Sequence, residues 1–236
     1  MNGGLDPGSG WKHALGMSAS RYIVFLAPVL ERHKGDRYPV DPLLFISLMR
    51  QESSFNARDV SRVGAAGLTQ IMPETAKSLG MKSVFMPPYF REAGDFMERE
   101  RMLRRKSMAI IRAITEENMA GHARRARKLM QESLDCKARR TKLFALYKRE
   151  LLKKNADDRL DPRKAIEYGF KYFSRMMKRQ RGDISLALAS YNAGPHRVKE
   201  YNGIPPYTET VNFRNRVLRY YRDYLRRVKM YREVSR

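Results

Sequence analysis

Apolar positions recur at helical spacing along much of this 236-residue chain, and the clearest pattern predicts a helix over residues 42–51. Asp41 is a good cap for a helix N-terminus, and Pro42 stands at the first helical position, where its missing N–H costs nothing. Counting back from Glu52 by three, four and seven residues gives the apolar side chains Met49, Leu48 and Phe45. The pattern therefore places one carboxylate on the apolar side of a helix end.

Further helices are predicted from caps, stops and apolar faces. One covers residues 73–79, a second begins after the cap residue Asp161, and a third runs from Asp183 to a stop at Gly194. The C-terminal helix has an apolar face formed by Leu218, Tyr221, Leu225 and Val228. Because only a short extended stretch near residues 67–72 interrupts this pattern, the predicted fold class is mainly α with a small β patch.

Basic residues greatly outnumber acidic ones, with 48 Lys and Arg against 25 Asp and Glu and a formal net charge of +23. Such an excess attracts nucleic acid, anionic lipid surfaces and anionic cell-wall polymers alike, so charge alone does not choose the partner. Cys136 is the only cysteine, which excludes an intramolecular disulfide and a cysteine-based metal cluster. Residues 1–20 lack the long apolar stretch of a signal peptide, and no apolar run reaches the roughly 20 residues that span a bilayer.

The middle of the chain is especially basic. Residues 81–160 contain 21 Lys and Arg against 11 Asp and Glu. Two amphipathic helical patterns occur here, and we expect Gly121 and His122 to separate or kink them. The simpler interpretation is a solvated helical decoration that enlarges the fold. The sharper hypothesis is that the cationic faces flank the substrate groove and hold an anionic polymer.

Three short segments contain residue types suited to catalysis or substrate binding, and they follow one another along the chain. The first is Glu52-Ser53 at the helix end, the second is Gly-Ala-Ala-Gly-Leu-Thr-Gln-Ile-Met-Pro at 64–73, and the third is Ala-Leu-Ala-Ser-Tyr-Asn-Ala-Gly-Pro at 187–195. Together they resemble the soluble, Slt-type and goose-lysozyme-like lytic transglycosylases, a glycoside hydrolase family 23-like group. That family has a Glu-Ser pair, a Gly-Leu-x-Gln-x-Met-Pro segment and an Ala-x-Tyr-Asn-Ala-Gly segment in the same order.

The resemblance covers most of residues 40–80 and 158–222. It implies a goose-type, lysozyme-like helical domain with a small β patch. The predicted organisation is a flexible leader at 1–18, a catalytic domain at 19–80 and 158–236, and an inserted basic helical subdomain at 81–157.

Glu52 is the candidate catalytic residue. Desolvation on an apolar face should raise the pKa of its carboxyl, which suits a general acid near neutral pH, whereas a Glu that frays into solvent would have no such role. A two-carboxylate glycosidase needs a second acid, and the nearest downstream one, Asp59, lies in a predicted loop. The resemblance implies instead that Glu52 alone acts as acid and then base. It would cleave the MurNAc–GlcNAc β-1,4 bond of peptidoglycan and form 1,6-anhydro-MurNAc ends.

The resemblance also implies a set of substrate contacts. The matching positions are Ser53, Ser61, Gln70, Met72, Tyr191, Asn192 and Glu209. Core packing is an equal interpretation for Met72, and Asn192 is expected to hold its turn more than to touch substrate. The chain departs from the family at Thr69, where Met is frequent, and at Ile166, where Asn is common. We expect neither residue to touch the chemistry.

No metal or cofactor is expected, because no histidine has another histidine or a cysteine three or four residues away. The four histidines are His13, His33, His122 and His196. The expected partner is the peptidoglycan glycan strand. An anionic wall polymer or membrane surface is a further candidate for the basic helices, and no specific nucleic acid is expected. We expect a monomer in the periplasm or cell envelope.

Two other functions share parts of the pattern. A goose-type lysozyme-like muramidase would use the same Glu52 but deliver water to the cleaved bond. A non-catalytic cationic protein would bind cell wall or nucleic acid through charge alone, with an affinity that falls steeply with salt. Against the second, the chain contains no recognised nucleic-acid motif.

Overall fold

The structure is a computed structural model that describes residues 15–234. The described part is almost entirely helical, which confirms the mainly α class. Its helices are α1 (Met17–Ser20), α2 (Ile23–Arg32), α3 (Pro42–Ser53), α4 (Pro73–Leu79), α5 (Pro88–Arg112), α6 (Met119–Lys154), α7 (Pro162–Arg179), α8 (Ile184–Ala193), α9 (Pro195–Glu200) and α10 (Thr208–Val234). Within these residues, the predicted β patch is reduced to a single antiparallel bridge between Ala66 and Ile71.

The described chain forms two compact units. The first contains the described residues up to Asp59, the segment Ala65–Val84, and the described residues from Asp157 onward. The second contains Val60–Gly64 and Phe85–Ala156. Residues 1–14 of the predicted leader lie outside the described residues, while Leu15 is buried in the core of the first unit.

Helix α3 is the central helix of the first unit. Every residue from Leu43 to Met49 is buried, and α10 packs along this helix. The Asp41 carboxylate accepts hydrogen bonds from the backbone N–H groups of Leu43, at 2.7 Å, and Leu44, at 3.3 Å. The predicted helix start at Asp41 is therefore confirmed.

Helices α7 and α8 complete the core around α3. The predicted face of α7 is confirmed, because Ile166, Phe170, Phe173 and Met177 are all buried. Asp161 and Asp183 cap α7 and α8 as predicted. Helix α8 stops at Gly194, but the proline after this glycine opens α9, a short helix that the sequence pattern did not indicate.

The predicted apolar face of the C-terminal helix is wrong in part. Leu225 is 42% exposed, and the buried side chains of α10 include Phe213, Val217 and Tyr224. Phe213 and Val217 lie four residues apart, and Val217 and Tyr224 lie seven apart, so the three form one stripe of the helix, adjacent to the predicted apolar face. The error arises because both stripes are apolar in sequence, and only packing against α3 selects one.

The second unit is built on an antiparallel pair of long helices, α5 and α6. Ser107 Oγ on α5 donates to the carbonyl of Ala126 on α6, and the Tyr89 hydroxyl donates to Glu150 Oε2 at 2.7 Å. Residues 113–118 connect the two helices. The expected break at Gly121 and His122 is therefore wrong, because both residues lie inside α6. Across residues 15–234, no helix combines the length and the apolar character that crossing a bilayer requires.

Candidate active site

Glu52 lies in the last turn of α3, inside the helix and not beyond its end. Its side chain is partly buried, and this burial raises the pKa of the carboxyl well above its ordinary value. The negative charge of Glu209 raises the pKa further. Glu52 is thus a carboxyl that is surrounded by protein yet keeps some contact with solvent, which is the environment of a proton donor.

The backbone turns sharply after Glu52. Ser54 and Phe55 both have left-handed φ values, of +50° and +66°, and the Tyr22 hydroxyl donates to the Phe55 carbonyl at 3.1 Å. The buried Ser53 hydroxyl contacts the carbonyl oxygens of Leu68, at 3.0 Å, and Met49, at 3.3 Å. Ser53 therefore ties the end of α3 to the glycine segment of residues 64–73.

The glycine segment is a tight turn that glycine makes possible. Gly67 has a φ of +79°, and a Cβ atom at this position would lie 1.7 Å from the carbonyl oxygen of Arg159. Gln70 is also left-handed, with a φ of +45°. Gln70 Nε2 donates to the carbonyls of Gly67, at 2.9 Å, and Asp59, at 3.2 Å. Both N–H donors of the Gln70 amide thus stabilise the turn. The amide oxygen remains as the side-chain group that can accept a hydrogen bond from a ligand.

A buried ion pair supports this turn, and the sequence analysis missed it. The Arg159 and Asp157 side chains are 0% and 1% exposed, with Nη2 and Oδ2 2.7 Å apart. Arg159 Nε also donates to Asp157 Oδ1 at 2.9 Å, and Nη1 donates to the Ile71 carbonyl at 3.3 Å. The only sequence signal was the run Asp157-Asp158-Arg159 ahead of a helix cap, which is equally typical of a solvated loop.

Tyr191 on α8 binds the glycine segment and lies in the electrostatic neighbourhood of Glu52. Its buried hydroxyl donates to the Thr69 carbonyl at 2.8 Å, and its ring packs on Tyr172 and Phe173 with centroids 5.0 and 5.9 Å away. Burial raises the pKa of Tyr191 well above its ordinary value, and the negative charge of Glu52 raises it further. Tyr191 therefore stays a neutral hydroxyl in the electrostatic neighbourhood of Glu52.

The start of α10 provides the second carboxylate. Glu209 is exposed in the first turn of this helix, where the helix dipole favours a negative charge. The buried Thr210 hydroxyl donates to Asn192 Oδ1 at 2.8 Å and so joins α10 to the end of α8. Asn192 is thus engaged in holding its turn, as its sequence position suggested.

Ser61 and Met72 are the two remaining residues that were predicted to contact substrate. Ser61 lies in the segment Val60–Gly64, which belongs to the second unit, and its Oγ accepts a hydrogen bond from the Val63 N–H at 3.3 Å. Met72 is partly buried at the N-cap position of α4. Thr69 and Ile166, where the chain departs from the family pattern, are both fully buried.

Among residues 15–230, no group of three or more His, Cys, Asp or Glu side chains is arranged to hold a metal ion. The candidate site consists of Glu52, Glu209, Tyr191 and the backbone and amide groups of the glycine segment.

Comparison with known proteins gives one family and two curated relatives. The family model described as "Transglycosylase SLT domain" matches residues 30–92 and 137–213. The "Transglycosylase" of Enterobacteria phage PRD1 is 43% identical over 66 residues, which are 28% of this chain and 25% of the relative. The "Membrane-bound lytic murein transglycosylase C" of Edwardsiella ictaluri (strain 93-146) is 49% identical over 45 residues, which are 19% of this chain and 12% of the relative.

The matches thus span about a quarter and an eighth of the lengths of these relatives. No solved structure matches the chain significantly.

Proposed function

Because the chain belongs to the transglycosylase SLT domain family, we propose that it is a peptidoglycan lytic transglycosylase that cleaves the MurNAc–GlcNAc β-1,4 glycosidic bond. The observation that carries the proposal is Glu52, a carboxyl with a raised pKa at the end of the central helix. The names of both relatives support the same activity.

In the first step Glu52 acts as a general acid. Burial and the nearby charge of Glu209 favour its protonated form, so the proton is available near neutral pH. Glu52 transfers this proton to the glycosidic oxygen as the bond to C1 of MurNAc breaks. The electron pair of that bond stays with the oxygen, and GlcNAc leaves as an alcohol.

In the second step the substrate supplies the nucleophile. The N-acetyl group of MurNAc stabilises the positive charge that develops at C1, and the C6 hydroxyl of the same sugar attacks this carbon. The Glu52 carboxylate takes the hydroxyl proton and returns to its starting state. No water is consumed, and an intramolecular nucleophile has the high effective concentration needed to outcompete water.

The remaining groups of the candidate site position the sugar. The Gln70 amide oxygen is suited to accept a hydrogen bond from an acetamido N–H, and Met72 offers an apolar wall. Tyr191 orients the sugar or the Glu52 carboxyl, while Asn192 and Ser53 act through the backbone that they hold. We retain Ser61 as a proposed contact on the strength of the motif alone.

We also propose that the protein acts in the cell envelope on glycan strands. One of the two relatives is named as membrane-bound, and peptidoglycan is the substrate that the family name implies. The basic second unit would add affinity for anionic wall polymer or an anionic membrane surface.

Product analysis tests the proposal directly. Purified sacculi are incubated in H₂¹⁸O with wild type, with Glu52→Gln, and with Glu167→Gln as a control that removes an exposed acid on α7. Mass spectrometry of the soluble muropeptides should show products lighter by one water and without ¹⁸O for the wild type and the control. Glu52→Gln should release none.

Two outcomes would contradict the proposal. Reducing muramic acid ends that carry ¹⁸O would identify a lysozyme-like hydrolase that uses the same glutamate. Tight binding of sacculi without products from either the wild type or the control would identify a cationic binding protein.

A further inference from the structure

A cavity of about 430 Å³ lies between α7 and the loop that follows α2, and it shares no lining residue with the candidate active site. Its lining is strongly cationic. The basic side chains are those of Arg37, Lys171, Arg175 and Lys178, of which the last three lie on α7 at spacings of four and three residues. This spacing directs the three α7 side chains to one face of the helix, so their charges converge on the cavity.

Asp36 is the one acid among the described lining residues, and its single charge offsets only one of the four cations. Asp36 Oδ2 is 2.8 Å from His33 Nδ1, so this carboxylate already has a partner. Lys171 Nζ donates to the carbonyl of Leu79 at 3.0 Å, which fixes its ammonium group in place. Four cations against one acid thus leave the cavity with a net positive charge.

Ser174 also lines the cavity, and its hydroxyl is buried beneath the cavity surface. Ser174 is 8% exposed, and its Oγ has no hydrogen-bond partner among the described residues. A serine in a helix commonly donates to the carbonyl four residues earlier, and Ser174 does not. Because burying a hydroxyl without a partner is unfavourable, an acceptor that reached this hydroxyl from the cavity would stabilise it.

We propose that this cavity binds a phosphate group. A phosphate monoester carries nearly two negative charges and three strong acceptor oxygens, whereas a carboxylate carries one charge and two oxygens. The cavity offers two guanidinium groups, two ammonium groups and a buried hydroxyl, which exceeds what one carboxylate can accept. The volume also leaves space for a small group attached to the phosphate.

Calorimetric titration at constant ionic strength tests the proposal. The probes are inorganic phosphate and glycerol 3-phosphate, and the proteins are wild type, Arg175→Gln, Ser174→Ala and Arg222→Gln. The last variant removes an exposed arginine of α10 that does not line the cavity. We expect saturable binding that Arg175→Gln weakens about tenfold and Arg222→Gln leaves within about twofold.

Ser174→Ala separates a ligand role from a structural one. Without phosphate its melting temperature should equal or exceed that of wild type, because the unpartnered hydroxyl is gone, while the rise caused by phosphate should be smaller. Equal affinity for both probes would assign the site to free phosphate, and a tenfold preference for glycerol 3-phosphate would assign it to a phosphoglycerol group. Either result supports a phosphate site.

Binding that Arg175→Gln and Arg222→Gln weaken equally would overturn the proposal, since it would reflect only the overall charge. The absence of saturable binding by both probes would overturn it as well.

Discussion

The buried ion pair behind the glycine segment gives the sharpest test of how this site is supported. Asp157→Asn keeps the size of the side chain but removes the negative charge that faces Arg159. The guanidinium is fully buried and makes two hydrogen bonds to the Asp157 carboxylate, at 2.9 and 2.7 Å. The variant therefore leaves a positive charge in the protein interior without its counter-charge.

The expected cost follows from that geometry. Removing one partner of a buried pair typically destabilises a protein by about 3–5 kcal/mol, which is a large part of the 5–15 kcal/mol of a whole domain. Glu200→Gln is the matched control, because its pair with Arg197 also spans 2.7 Å but has side chains 40% and 51% exposed. The control should cost at most about 1 kcal/mol.

Two measurements check the prediction. Urea denaturation gives the free energy of unfolding, and amide hydrogen exchange reports on the turn itself. The Gly67 N–H donates to the Asp59 carbonyl at 2.9 Å, and the Ile71 N–H donates to the Ala66 carbonyl at 3.3 Å. Both amides should exchange about two orders of magnitude faster in Asp157→Asn than in wild type.

The double variant Asp157→Leu/Arg159→Met distinguishes a stranded charge from lost packing. It leaves no buried charge, so it should recover much of the stability that Asp157→Asn loses. The reasoning would be refuted if Asp157→Asn and Glu200→Gln shifted the unfolding free energy equally, or if exchange at Gly67 and Ile71 did not change.

Three further predictions concern other parts of the structure. The pKa of Glu52 is raised in the folded state, so the wild-type protein should lose stability as the pH rises through that pKa. In urea denaturation, Glu52→Gln should therefore be more stable than wild type at pH 8 and equally stable at pH 4. Gly67→Ala should prevent soluble folding, because the added Cβ would collide with the Arg159 carbonyl. Gly80→Ala is the control: Gly80 has a φ of +99° but open space around it, so this variant should lose about 1 kcal/mol of unfolding free energy. Thermal melting and solubility measurements compare the two variants. Replacing residues 84–155 by a short linker should weaken sedimentation with sacculi and reduce its salt dependence, and unchanged binding would exclude the polymer-holding role of the basic insertion.

The parts of the site that follow from local rules could be predicted from sequence. The cap at Asp41 and the stop at Gly194 depend on neighbouring residues alone, whereas α3 runs on to Ser53, beyond its predicted end at Gln51. The pairing of Arg159 with Asp157 and the hydroxyl of Ser174 could not, because their roles depend on what is buried around them. A charged or polar side chain is usually exposed, so only tertiary structure reveals the exceptions.

The raised pKa of Glu52 also shows how a local environment overrides the overall charge of the chain. A net charge of +23 favours ionised carboxylates on average, which would remove the proton that a general acid needs. Salt screens exposed charges beyond about 8 Å, however, whereas desolvation by burial, the larger cause of the raised pKa of Glu52, does not depend on salt. Adding salt should therefore weaken the attraction of an anionic polymer far more than it changes the pH profile of cleavage. We therefore expect the cationic surface and the proposed catalytic acid, Glu52, to be separable properties that substitutions change independently.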